Sequence, residues 1–153
     1  FWADAAHSQG FKDIFSFELQ NLADLALKSN NCFYEIYNSE TGAVDGGWQF
    51  DHQWHSVHDQ TWSATGYIRM IFNNLFGMRF TPEGLTFNPD VELLNEYGVE
   101  KLSNLRYLNG RLNIVISGKG TKLAAVKVNG KTQSVKKPIA PADGITQIEL
   151  IIK

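Results

Sequence analysis

From Asp13 to Ser29 the apolar residues Phe15, Leu19, Leu22 and Ala26 recur at three- and four-residue steps, the period of an amphipathic helix. Asp13 stands at its start as an N-cap candidate. A second helix is predicted from about Gln60 to Phe76, where Ala64, Ile68, Ile71, Phe72 and Leu75 form a broad apolar stripe. Asp59 precedes it as a cap candidate, and Gly77 suits the position just past its end. Between the helices, Asn30 to Asp59 carries the turn signals Asn30-Asn31, Asn38-Ser39, Thr41-Gly42 and Gly46-Gly47. A connection of about 30 residues is usually functional or disordered, and this one is too aromatic for disorder.

After Gly77 the period changes to short alternating runs. Met78 to Phe80 and Leu85 to Phe87 flank Pro82-Glu83-Gly84 as a hairpin, and Leu102 to Leu108 and Leu112 to Ile116 flank Asn109-Gly110. Leu123 to Val128 meets Asn129-Gly130, and Ile148, Leu150 and Ile152 alternate in the closing strand. Pro138 and Pro141 mark an irregular crossing between the last strands. The expectation is an α+β chain with a helical part over 1–77 and a small antiparallel β-sandwich of five or six strands over 78–153.

Composition sharpens this division. All four tryptophans, Trp2, Trp48, Trp54 and Trp62, fall in the helical part. A net charge of -2 and a pI near 6.1, with Lys and Arg scattered except for Lys136-Lys137, give no support for binding nucleic acid. A single cysteine, Cys32, excludes an internal disulfide and any multi-cysteine metal site. No run approaches the roughly 20 apolar residues that a membrane-spanning helix needs. The compartment stays open, with a periplasmic or secreted parent favoured. The chain opens Phe1-Trp2-Ala3, and two wide apolar helix faces need more cover than one small sheet supplies. Further helices are therefore expected upstream; an isolated fragment would dock these faces on the sandwich or dimerise.

The chemistry-bearing stretch is Cys32-Phe33-Tyr34-Glu35-Ile36-Tyr37-Asn38-Ser39-Glu40-Thr41-Gly42, followed later by Thr61-Trp62-Ser63-Ala64. Tyr34 to Gly42 resembles the Y-E-x-Y-N-P-x-T-G segment near the end of (α/α)6-barrel glycosidases of the processing α-glucosidase and trehalase-like group. Thr61 to Ala64 is similar to the S-W-S-A segment that opens their next helix. Ser39 stands where the family has Pro, and the stretch from Ala43 to Asp59 is longer and richer in His, which leaves the substrate open. The resemblance implies the truncated end of a helical barrel, two to three helices, followed by a β-sandwich. It also implies that Glu35 is the general base of an inverting glycosidase, acting on an α-glucoside-type substrate, with no cofactor. The general acid is expected upstream, so the fragment alone would be inactive.

The physical logic agrees with that role, because an inverting enzyme needs one carboxyl to protonate the leaving oxygen and one carboxylate to activate water. The rings of Tyr34 and Tyr37 flank Glu35 and could desolvate or orient it, and both are candidate substrate contacts. The plainer reading is a solvated turn residue. Trp48, Trp54 and Trp62 offer flat apolar faces for sugar rings, against ordinary packing, and His55 offers a hydroxyl partner. His52, His55 and His58 fall at three-residue steps, but no carboxylate or cysteine completes a recognised metal spacing, so no metal is expected. Cys32 reads as a small buried hydrophobe. Two competing functions follow: a non-catalytic carbohydrate-binding or accessory module working through the Trp-rich loop, and a phosphorylase of the same barrel type.

Overall fold

Residues 2 to 28 form two helices, α1 (Trp2–Ser8) and α2 (Lys12–Lys28), joined by a turn in which Gly10 adopts a φ of +83°. A helix of two turns is marginal by itself and takes its stability from packing. Here Ala6 is buried and the His7 ring packs on Phe15 at 4.8 Å, while Phe15 is completely shielded from solvent. Of the predicted α2 stripe, Phe15, Leu19 and Ala26 are buried and Leu22 is half-buried. Asp13 is not the cap: Phe11 occupies that position with no side-chain bond, and Asp13 sits in the first turn, where its charge favours the helix dipole.

The computed structural model describes residues 1–49, 51–140 and 142–153, with 46–49 described by their backbone alone; Pro141 and the Trp48 side chain lie outside the described residues. After α2, residues 30 and 31 take left-handed φ values of 57° and 61°, which Asn tolerates well. An antiparallel hairpin follows, β1 (Asp45–Gln49) with β2 (His52–His55), where the sequence suggested only turns. The helix predicted over 60–76 is an α-helix, α3, only over Thr61–Arg69, and continues as a π-helix over Met70–Leu75. Its N-cap is Gln60, not Asp59, and the Phe76 N–H donates five residues back to the Ile71 carbonyl at 2.9 Å. The wider π turn breaks the expected single stripe. Ile68 is 45% exposed, whereas Leu75 and Phe76 are buried.

The chain divides into two compact units, Phe1–Met70 and Ile71–Lys153, a boundary inside this helix. In the second unit, β3 (Met78–Thr81) and β4 (Gly84–Phe87) form the expected hairpin, and a short helix, α4 (Val91–Glu96), follows it. The α4 N-cap is Asp90, whose side chain accepts from the Leu93 N–H at 3.2 Å. Five strands then build one sheet: β5 (Lys101–Tyr107), β6 (Gly110–Gly118), β7 (Leu123–Val128), β8 (Lys131–Gln133) and β9 (Gly144–Ile152), in the order β5-β6-β9-β7-β8. The sheet is mixed, which corrects the expected antiparallel sandwich: β9 runs parallel to β6 from Gly110↔Gly144 to Gly118↔Ile152 and antiparallel to β7. Alternation in a strand specifies which face is buried but says nothing of the direction of its neighbours. The α+β class holds.

One core joins the hairpin to the sheet. Phe76, Met78, Leu85 and Phe87 pack with Leu112, Ile114, Val126, Ile139, Ile148 and Leu150. The opposite sheet face is mixed, with Val115 and Ile145 exposed beside polar residues. There the Glu149 carboxylate accepts from Lys127 Nζ at 2.9 Å and Ser117 Oγ at 2.7 Å, which holds its pKa below the ordinary carboxylate value. The crossing from β8 to β9 runs alongside β4, where Leu85 and Ile139 exchange backbone bonds of 3.0 and 2.8 Å. Gly84 makes that approach possible. Its φ is +137°, and a Cβ there would lie 2.3 Å from the Ile139 carbonyl oxygen. Gly84→Ala is therefore expected to cost about 1–3 kcal/mol through backbone strain and overpacking, read as a lower urea midpoint. A midpoint equal to that of the parent chain would show that this crossing is loosely held.

Candidate functional site

The segment bearing Glu35 is irregular, with a bend at Glu35, and its backbone is tied to the approach to α3. The Glu35 N–H donates to the Val57 carbonyl at 2.8 Å, and the Gln60 N–H donates to the Phe33 carbonyl at 2.8 Å. Ser56 Oγ accepts from the Ile36 N–H at 2.9 Å. The Phe33 ring packs on Tyr67 of α3 at 5.2 Å, and burial pushes the Tyr67 phenol pKa up, so it remains protonated at neutral pH.

The residues around Glu35 have local architectural tasks. Tyr37 Oη accepts from the Tyr34 N–H at 2.8 Å, and the two rings meet edge to face at 6.3 Å. Asn38 Oδ1 accepts from the N–H groups of Glu40 and Thr41, each at 2.9 Å, forming an Asx-type turn. Thr41 Oγ1 accepts from the Ala43 N–H at 3.2 Å, and Gly42 closes the turn with a φ of +70°. Among the described residues, no hydrogen bond or ion pair engages the Glu35 carboxylate.

Glu35, Tyr37 and Trp62 line one groove of about 750 Å³ formed by residues of the first unit. Trp62 is 62% exposed there, so its indole face is open to a ligand. The groove also takes in Asp4 of α1, Glu18 and Leu22 of α2, and Thr61, Ser63, Gly66, Tyr67 and Arg69 of α3. Arg69 bonds Asp4 at 3.2 Å and lies 5.9 Å from the centre of the Phe1 ring. Sequence reasoning did not single out Asp4, Glu18 or Arg69. Helical spacing could have found Arg69, since positions 62, 66 and 69 share one helix face. Asp4 and Glu18 carry no comparable signal.

The other predicted substrate-binding residues stand apart from this lining. Tyr34 turns toward His58, with ring centres 6.2 Å apart. Trp54 is half-buried on β2 opposite Gly47, and His55 Nδ1 meets Asp45 Oδ1 at 3.2 Å on the same hairpin. Trp48 lies on β1, its side chain outside the described residues.

A separate cluster forms where the Glu35 segment meets the approach to α3. Cys32 Sγ lies 3.2 Å from Asp59 Oδ1, the Asp59 N–H meets the same sulfur at 3.2 Å, and His58 Nδ1 lies 2.8 Å from Asp59 Oδ2. The bonds from His58 and Cys32 hold the Asp59 pKa below the ordinary carboxylate value. Of the three histidines at three-residue steps, His58 is the one that meets Cys32 and Asp59, at a separation along the chain that matches no recognised metal spacing, and Cys32 is half-buried beside polar groups, not a purely apolar filler. Among the described residues, no helix is long and apolar enough to cross a membrane. No protein-family model matches the chain, and no curated protein was found similar to it in sequence.

Proposed function

We propose that this chain is the closing segment of an inverting glycoside hydrolase acting on an α-glucoside-type bond, with Glu35 as the general base. The observation that carries the reading is that Glu35 and Trp62, from two motifs 27 positions apart, line one groove. In this role Glu35 takes a proton from water as the water attacks the anomeric carbon, while an acid on the opposite ring face protonates the leaving oxygen. That acid is expected from the preceding part of the barrel. The open indole of Trp62 suits the C–H face of a sugar, and Glu18, Thr61 and Ser63 line the groove with groups able to bond hydroxyls edge-on. The test is turnover by the enzyme carrying this segment after Glu35→Gln; near-normal turnover sinks the reading.

One observation favours the second reading, a glycan-binding accessory module: Trp62 is 62% exposed at the groove, where its indole can meet a glycan. Titrating the 153-residue chain with oligosaccharides while following Trp fluorescence separates the two. Under the hydrolase reading, the chain alone does not bind. In the enzyme carrying the segment, Trp62→Ala is expected to raise KM by roughly tenfold, equivalent to about 1.4 kcal/mol, through loss of ring stacking. Tight binding by the isolated chain, abolished by Trp62→Ala, would move the assignment to an accessory module.

A further inference from the structure

We infer that Cys32, His58 and Asp59 form a binding site for a thiophilic divalent cation of the zinc type. One donor atom from each of the three residues lies within 4.8 Å of the others. A thiolate, an imidazole and a carboxylate are the donors that zinc takes, whereas the hard cations calcium and magnesium take oxygen almost exclusively. Bond lengths of about 2.3 Å to sulfur and about 2.0–2.2 Å to nitrogen and oxygen place tetrahedral donors roughly 3.3–3.7 Å apart. The sulfur lies 3.2 Å from Asp59 Oδ1 and His58 Nδ1 lies 2.8 Å from the other oxygen, Oδ2, so these pairs open by several tenths of an ångström, while the longest separation in the set, at most 4.8 Å, closes by up to about 1 Å. The His58 and Asp59 side chains are 69% and 76% exposed, which gives the ion a path in and leaves the fourth position to water.

Binding is a balanced exchange. The thiol loses its proton to solvent, the proton that bridges His58 Nδ1 to Asp59 leaves that nitrogen while the ring keeps one on Nε2, and the cation takes the place of both protons. The donors come from two stretches of chain, one at the start of the Glu35 segment and one just before α3. A bound ion would therefore fasten the segment that carries Glu35 to the approach to α3, which carries Trp62. The inference is independent of the hydrolase reading, since its test needs no substrate.

The probe is Co²⁺ titrated into the reduced 153-residue chain, followed by Zn²⁺. A thiolate-to-cobalt charge-transfer band saturating at one equivalent and displaced by Zn²⁺ is expected, along with protection of Cys32 from alkylation by Zn²⁺. Cys32→Ser should abolish the band, and His58→Gln and Asp59→Asn should each weaken binding at least about tenfold. The latter two change exposed side chains, so they decide the matter even if the serine variant fails to fold. Absence of the charge-transfer band, its persistence in folded Cys32→Ser, or unchanged affinity in both exposed variants would overturn the site and leave the cluster as a hydrogen-bonded staple.

Discussion

Under the proposed hydrolase reading, replacing Glu35 with Gln is expected to lower kcat of the parent enzyme by about 10²–10⁴-fold while leaving KM nearly unchanged, the usual range for losing a general base. At about 1.36 kcal/mol per decade this corresponds to roughly 2.7–5.4 kcal/mol of transition-state stabilisation. The substitution keeps shape and polarity but removes the proton acceptor. Structural damage should be slight: the Glu35 backbone bond to Val57 is untouched, and no described partner of the carboxylate is lost. Stability should stay within about 0.5 kcal/mol of the parent, as for substitutions away from packed or paired groups. Glu40→Gln provides the control, since Glu40 is exposed in the same turn and does not line the groove. Equal losses in both variants would indicate a disturbed turn and would remove the basis for singling out Glu35.

Leu150→Ala should be among the most damaging single truncations in the second unit, costing about 2–5 kcal/mol from lost transfer energy and a residual cavity. Leu150 is fully buried in β9, between β6 and β7, and belongs to the core shared with the hairpin. A loss of that size is a large part of the roughly 5–15 kcal/mol that holds a typical domain together. Val115→Ala, on β6 and 46% exposed, should cost less than about 0.5 kcal/mol. Urea unfolding of the two variants compares them directly. Similar midpoints would contradict the register, because a one-residue slip of either strand exchanges its buried and exposed faces.

Local signals in the sequence carried a substantial part of this fold. The stripe of Phe15, Leu19 and Ala26 announced α2, and the turns at Pro82-Glu83 and Asn129-Gly130 lie where hairpins close, while the β5–β6 hairpin closes one residue earlier than Asn109-Gly110, at Leu108-Asn109, with Gly110 already paired to Tyr107. Asn38, Thr41 and Gly42 also build their turn from bonds among neighbours. The two-turn α1 was not legible, because it depends on Phe15 for its packing. The β1–β2 hairpin was obscured by Gly, Gln and His, which carry weak strand preference.

What the sequence by itself determined, then, is which residues face a core and where the chain turns, since both follow from periods and dihedral preferences spanning a few residues. Only the tertiary structure decided that β9 enters parallel to β6, that the helix after Arg69 widens into a π turn, and that Glu35 and Trp62 line the same groove. It also decided that Cys32 meets His58 and Asp59. Each of these depends on which distant segments pack together, and side-chain order along one chain does not specify the direction or identity of a partner far away in sequence.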